Sequence, residues 1–180
     1  QSMTLFNREG YQSPSIDRVS ENAGISKMTF YRYYPDKEAL ILAILQLKEY
    51  EFMQDLQNIV ADKASAREKL FAVFEYYNDW FKCEDFHGCM FTRALFEYGA
   101  SSQAIRVTCS TFKSRLYQFF CDILVSVLKP EPAERVAMMM VGRAINPSTS
   151  PPTSGPPSNP PITAPMARVL AMESLMCRPK

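Results

Sequence analysis

The chain has 180 residues, 47% hydrophobic, with six glycines and a formal net charge of +1. That length buries one good core, or one core and a small satellite, so two helical domains fit. No run of eighteen apolar residues or charged-then-apolar leader is present, which excludes a membrane-spanning helix of the usual kind, and the near-neutral charge gives no nucleic-acid footprint by itself.

Few stretches alternate in period two, and the periodicity predicts an all-α chain. Residues 3–10, MTLFNREG, read as the last turns of a helix ended by Gly10, with Leu5 and Phe6 turned inward. Tyr11 to Pro14 connect to Ser15, a helix cap, after which Ile16, Val19 and Ala23 form one apolar stripe. Gly24 stands where a left-handed residue ends that helix, Ile25 fills the corner, and Ser26 caps a second helix. There Phe30 and Tyr34 face the core, which turns Lys27, Met28, Thr29, Arg32 and Tyr33 outward. Pro35 and Asp36 break and restart the chain, and Lys37 falls in the next first turn, where the helix dipole favours an anion nearby. Residues 1–50 hold six cations (8, 18, 27, 32, 37, 48) against six acids (9, 17, 21, 36, 38, 49). Any attraction for a polyanion must therefore come from the local cluster of Lys27, Arg32 and Lys37.

From Asp36 to about Leu56 one helix carries two apolar stripes, Leu40, Ile44 and Leu47 beside Ile41, Leu45 and Phe52. Ala66 to about Lys82 is amphipathic and dense in aromatics: Phe71, Phe74, Tyr77, Trp80 and Phe81. A short connection leads into a helix ending near Tyr98. Residues 101–129 read as a long helix ended by Pro130 and Pro132, and Ala133 to about Ile145 as another. Residues 146–165 are rich in proline, serine and threonine and read as a linker, because proline removes donors and clashes with the preceding turn. Met166 to Cys177 resumes as a short helix.

The run Ala23-Gly24-Ile25-Ser26-Lys27-x-Thr29-x-Tyr31-x-x-Tyr34-Pro35-x-Lys37-Glu38-x-Leu40 resembles the DNA-binding signature of the TetR family of transcriptional regulators. The pattern from Trp80-Phe81 through Phe86-His87-Gly88-Cys89-Met90-Phe91 resembles the regulatory domain of a subset of that family, and the proline-rich stretch departs from it. The resemblance implies an N-terminal three-helix helix-turn-helix domain (1–46). It also implies a helical ligand-binding and dimerisation domain (47–180), with the proline-rich linker at about 146–165. It further implies a cytoplasmic homodimer bound to a double-stranded DNA operator and released by a small-molecule effector, with no enzymatic activity and no cofactor. Contacts to DNA are expected from Ser15, Ser26, Lys27, Met28, Thr29, Tyr31, Arg32, Tyr33 and Lys37, with Met28 and Thr29 reading bases. Effector contacts are expected from Phe74, Tyr77, Trp80, Cys89, Met90, Arg93, Glu97, Phe112, Leu116, Phe119 and Met139. By spacing alone any one of these is as well a core residue, and Arg93 and Glu97 as well a solvated pair one turn apart. The family dimer uses the last two helices, here 133–145 and 166–177, and the helix from Asp36 is expected to carry the signal.

Other chemistries fare worse. Cys83, His87 and Cys89 are close in sequence, but structural zinc wants four ligands and His87 is the only histidine. Neither a Gly-x-Ser-x-Gly elbow nor a glycine-rich phosphate loop is present. The odd count of five cysteines (Cys83, Cys89, Cys109, Cys121, Cys177) suits reduced thiols. An alternative regulator senses electrophiles or oxidants through Cys89, perched near a helix N-terminus, which lowers a thiol pKa. A weaker alternative is a helical adaptor that binds protein.

Overall fold

The computed structural model describes residues 2–142, and these form eight helices with no strand among them. The expected linker at 146–165 and the helix at 166–177 lie outside the described residues.

Helix α1 (Ser2–Glu9) ends at Gly10, whose φ of 85° is the left-handed region that favours glycine. Helix α2 (Ile16–Ala23) starts with the Ser15 hydroxyl accepting from the Arg18 N–H at 3.2 Å, and stops at Gly24, also left-handed. Ser26 then caps α3 (Lys27–Tyr33), its Oγ accepting from the Thr29 N–H at 3.1 Å. Asp36 caps α4 (Lys37–Val60), and Ser65 with Glu68 forms a reciprocal capping box at the head of α5 (Ala66–Lys82). Helices α6 (Met90–Tyr98), α7 (Gln103–Leu124) and α8 (Pro130–Val141) complete the described chain.

Several boundaries differ from expectation, and α4 runs to Val60 rather than about Leu56. Helix α7 stops at Leu124 rather than 129, and a turn follows in which the Val127 and Leu128 N–H groups both return to the Leu124 carbonyl. Pro130 does not end a helix but begins one. It occupies the first turn of α8, where its missing N–H is one of four that have no helical partner in any case. Gly142, left-handed, ends α8 four residues earlier than 145.

The packing follows from which stripes are apolar. Phe6, Tyr11, Val19, Phe30 and Tyr34, from the first three helices and the segments that join them, close on Leu40, Ile41 and Ile44 at the start of α4. The rest of α4 lies against α5 and α7, and α7 is central, touching α4, α5, α6 and α8. Ile105, Cys109, Phe112, Leu116 and Phe120 are its buried stripe, and Ala133 and Ala137 of α8 are fully covered. Phe52 of α4 sits between Tyr76, Tyr77, Trp80 and Phe112, with centroids 5.7–5.9 Å apart in mostly edge-to-face geometry. Each such pair contributes about 0.5–1.5 kcal/mol beyond area burial. One continuous core thus runs from Leu5 to Ala137, and α4 passes through 46/47 without a break.

Candidate nucleic-acid interface and effector pocket

The outer face of α3 is made by elimination. Burying Phe30 and Tyr34 leaves Met28 84% exposed, with Tyr31, Arg32 and Tyr33 also in solvent. The Ser26 and Thr29 hydroxyls lie 2.9 Å apart at the start of the helix. Lys27 pairs with Asp17 at 2.8 Å, and that hydrogen bond holds its ammonium pKa above the ordinary lysine value. The pair is exposed on both sides and therefore contributes little. Besides Lys27 and the capping Ser26, two more expected contact residues have partners within the chain. The Ser15 hydroxyl is occupied as a cap, and the Lys37 ammonium donates to the Gln12 carbonyl at 2.8 Å, its pKa lowered by burial and opposed by Glu97.

Lys37 belongs to a set of bonds that tie this unit to α6. The Glu97 carboxylate accepts from the backbone N–H groups of Tyr11 at 2.9 Å and Gln12 at 2.7 Å, and the Gln12 amide donates back to the Glu97 carbonyl at 2.7 Å. Arg93 donates to the Asn7 carbonyl at 2.7 Å, and the Tyr11 hydroxyl to the Met90 carbonyl at 3.2 Å. Burial drives the Tyr11 phenol pKa well up, so it stays a donor. Gly10 is needed here, since a Cβ at that position would come within 2.7 Å of a Glu97 oxygen. A further bond runs from the Ser102 hydroxyl to Glu38 at 2.6 Å.

Behind the aromatic cluster lies a cavity of about 360 Å³, inside the range of about 300–1,000 Å³ typical of small-molecule sites. Helix α5 contributes Phe74, Tyr77, Trp80 and Phe81, and Phe86 and Cys89 flank the entry to α6. Thr92, Phe112, Lys113, Leu116 and Phe120 form the opposite wall, closed by Met140 and Val141. The lining is mostly apolar, with Thr92, Lys113, Tyr77, Trp80 and Cys89 the lining residues that carry a polar group. Burial pushes the Tyr77 phenol pKa up.

Of the expected effector residues, the cavity gathers Phe74, Tyr77, Trp80, Cys89, Phe112 and Leu116. Met90 is instead buried in the core, Arg93 and Glu97 are committed to the α6 contacts above, and Met139 is 81% exposed. Phe119 lines a different groove, between α4 and α7. Residues missed were Phe81, Phe86, Thr92, Lys113, Phe120, Met140 and Val141. Phe120 was readable, because Phe112, Leu116 and Phe120 recur every four residues on one stripe. Met140 and Val141 share the face of Ala133 and Ala137, which are the residues of α8 that meet α7.

Residues 1–44 match the family model for bacterial regulatory proteins of the tetR family. The fatty acid metabolism regulator protein of Bacillus subtilis (strain 168) is 28% identical over 69 residues, 38% of this chain and 36% of that protein. The HTH-type transcriptional regulator YjdC of Escherichia coli (strain K12) is 22% identical over 134 residues, 74% of this chain and 70% of that protein. The chain thus spans only about a third of the first relative's length. A TetR transcriptional regulator from Legionella pneumophila superposes with a TM-score of 0.67 at 18% identity, covering 78% of this chain and 77% of that one. That likeness is one of fold. The matched proteins carry the names of regulators, not of enzymes.

Proposed function

We propose that this chain, whose first 44 residues match the tetR family of regulatory proteins, is a cytoplasmic, homodimeric repressor that leaves its operator when a small apolar molecule fills the α5–α7 cavity. The observation that carries this reading is the α3 surface. Its caps fix the helix, Phe30 and Tyr34 anchor it, and Lys27, Met28, Thr29, Tyr31, Arg32 and Tyr33 are left as a mixed face of the size and polarity that enters a major groove. Met28 and Thr29 read base edges, and Lys27, Tyr31, Arg32, Tyr33 and Ser26 meet the backbone or bases. Ser15 and Lys37 reach phosphate as well, if they turn from their partners in the free protein.

Release uses the α6 contacts. A molecule in the cavity touches Cys89 and Thr92 at the start of α6, and Glu97 and Arg93 on the same helix hold residues 7–12. A shift of α6 is therefore passed to the α1–α2 connection and to Lys37, and α4 carries a parallel signal through Phe52. A ligand moves such an equilibrium only by its differential affinity for the two states, and couplings of this kind are typically about 1–3 kcal/mol.

Binding to operator and non-operator duplex across a range of salt concentrations tests the reading. Arg32→Ala should weaken all sequences alike and lower the salt slope by about one, whereas Thr29→Ala should change which bases are preferred. A Thr29→Ala protein with unaltered preference removes the base-reading assignment.

A further inference from the structure

Among the described residues that line the aromatic cavity, Lys113 of α7 alone is charged at neutral pH, and no Asp or Glu shares the lining with it. Its side chain is half-buried, on the turn that also presents Phe112 and Leu116. The ammonium has no ion pair, hydrogen bond or ring contact with any described residue. The titratable group it faces is the Cys109 thiol one turn earlier, which burial holds protonated with a pKa raised to about 11, so no charge answers the lysine there. A fully solvated lysine needs no partner, but one set in a concave apolar wall has lost hydration that an anion would return. The neutral polar groups nearby have the matching character. The Tyr77 and Thr92 hydroxyls and the Trp80 indole N–H are all donors, and burial keeps the Tyr77 phenol protonated. Cys89 and Thr92 border the cavity at the start of α6, where no side chain caps the helix, so its first-turn N–H groups add positive potential at that wall. A cation would be repelled by Lys113, and a dianion would bring one charge more than the wall can match.

We propose that the α5–α7 cavity selects an apolar monocarboxylate, with Lys113 as the residue that takes the carboxylate and the rings of Phe74, Trp80, Phe81 and Phe112 as the seat of the apolar body. The assignment rests on the reading of this cavity as the effector site and gives that effector its chemical class. The ammonium meets the carboxylate in a charge-assisted hydrogen bond, and removal of the apolar body from water supplies the rest of the affinity. Lys113 is thus the specificity-determining residue of the cavity, separating an acid from a neutral molecule of the same shape.

The compound β-naphthoate is a suitable probe, because it is ionised at neutral pH and β-naphthamide is its neutral counterpart. Calorimetry on the full chain should show one β-naphthoate bound per subunit in the millimolar range or tighter. Binding of β-naphthamide should be weaker by at least about tenfold, as loss of a hydrogen bond between charged groups implies. Lys113→Met should lower β-naphthoate affinity by at least about tenfold while β-naphthamide changes by less than about twofold. Thermal unfolding checks that the variant is folded, and Lys113→Gln takes its place if it is not. Phe81→Ala, on a wall common to both probes, should weaken both severalfold. If Phe81→Ala weakens both but the two probes bind the parent alike, or Lys113→Met binds β-naphthoate as the parent does, the anion preference is overturned and the cavity stands as the effector site. If Phe81→Ala weakens neither, the probes bind outside the cavity, and the proposal falls together with the reading beneath it. Binding of neither probe at millimolar concentration also overturns the proposal.

Discussion

Asp17 shows how much one side chain controls at this surface. Its carboxylate holds Lys27 at 2.8 Å and faces the same solvent that a duplex would occupy. Asp17→Asn should release Lys27 and remove a negative charge from the interface, tightening operator binding severalfold at low salt and less at high salt, as a titration at two ionic strengths would show. The thiols make a second case. Burial raises the Cys109 pKa to about 11, while Cys89 is half-buried at the cavity wall. At pH 8 Cys109 should therefore resist iodoacetamide while Cys89 is modified, and mass spectrometry of the labelled chain would show the order. Labelling of Cys109 first would mean that α7 opens more readily than its packing implies. At this scale the sequence was legible wherever the chemistry is local. Ser15, Ser26 and Asp36 each bond an N–H three residues on, so their caps could be read from spacing. Glu97 was read as an effector contact because its partners, Tyr11 and Gln12, are some 85 residues away and no local pattern points to them.

At the scale of elements, α6 is the surprise. Spacing suggested that α4 alone joined the two halves, since it is continuous from Asp36 onward, but α6 makes a second connection through a set of hydrogen bonds. The Glu97 bonds to two backbone N–H groups are charge-assisted, and removing such an acceptor costs about 1–3 kcal/mol. Glu97→Ala should thus lower stability by about that amount, and it should also weaken the response of operator affinity to effector although Glu97 touches neither. Denaturant unfolding and operator titration with and without effector would measure the two effects. A variant that loses stability but keeps a full response would place the coupling in α4. The two proline positions make the complementary point. Pro130 and Pro132 look like stops when only their missing N–H groups are considered, yet the first turn of a helix is where proline fits.

The whole molecule leaves apolar surface uncovered among its described residues. Val136 is 37% and Met139 81% exposed on α8, and Val125, Val127 and Leu128 precede them in solvent. Exposed apolar side chains gathered in this part of the chain suit an association surface. Sedimentation at micromolar concentration should give a dimer, and Met139→Glu should shift it toward monomer and weaken operator binding, because two half-sites must be read together. The central claim, that α3 is a sequence-reading helix in a symmetric pair, is tested most directly by selecting duplexes from a random pool with the purified chain. The account predicts enrichment of an inverted repeat with half-sites about 34–36 Å apart, or a multiple of that spacing. It also predicts that the base preferences within each half change when Thr29 is replaced by alanine. A pool that shows no enriched repeat, or the same repeat for parent and variant, would contradict it.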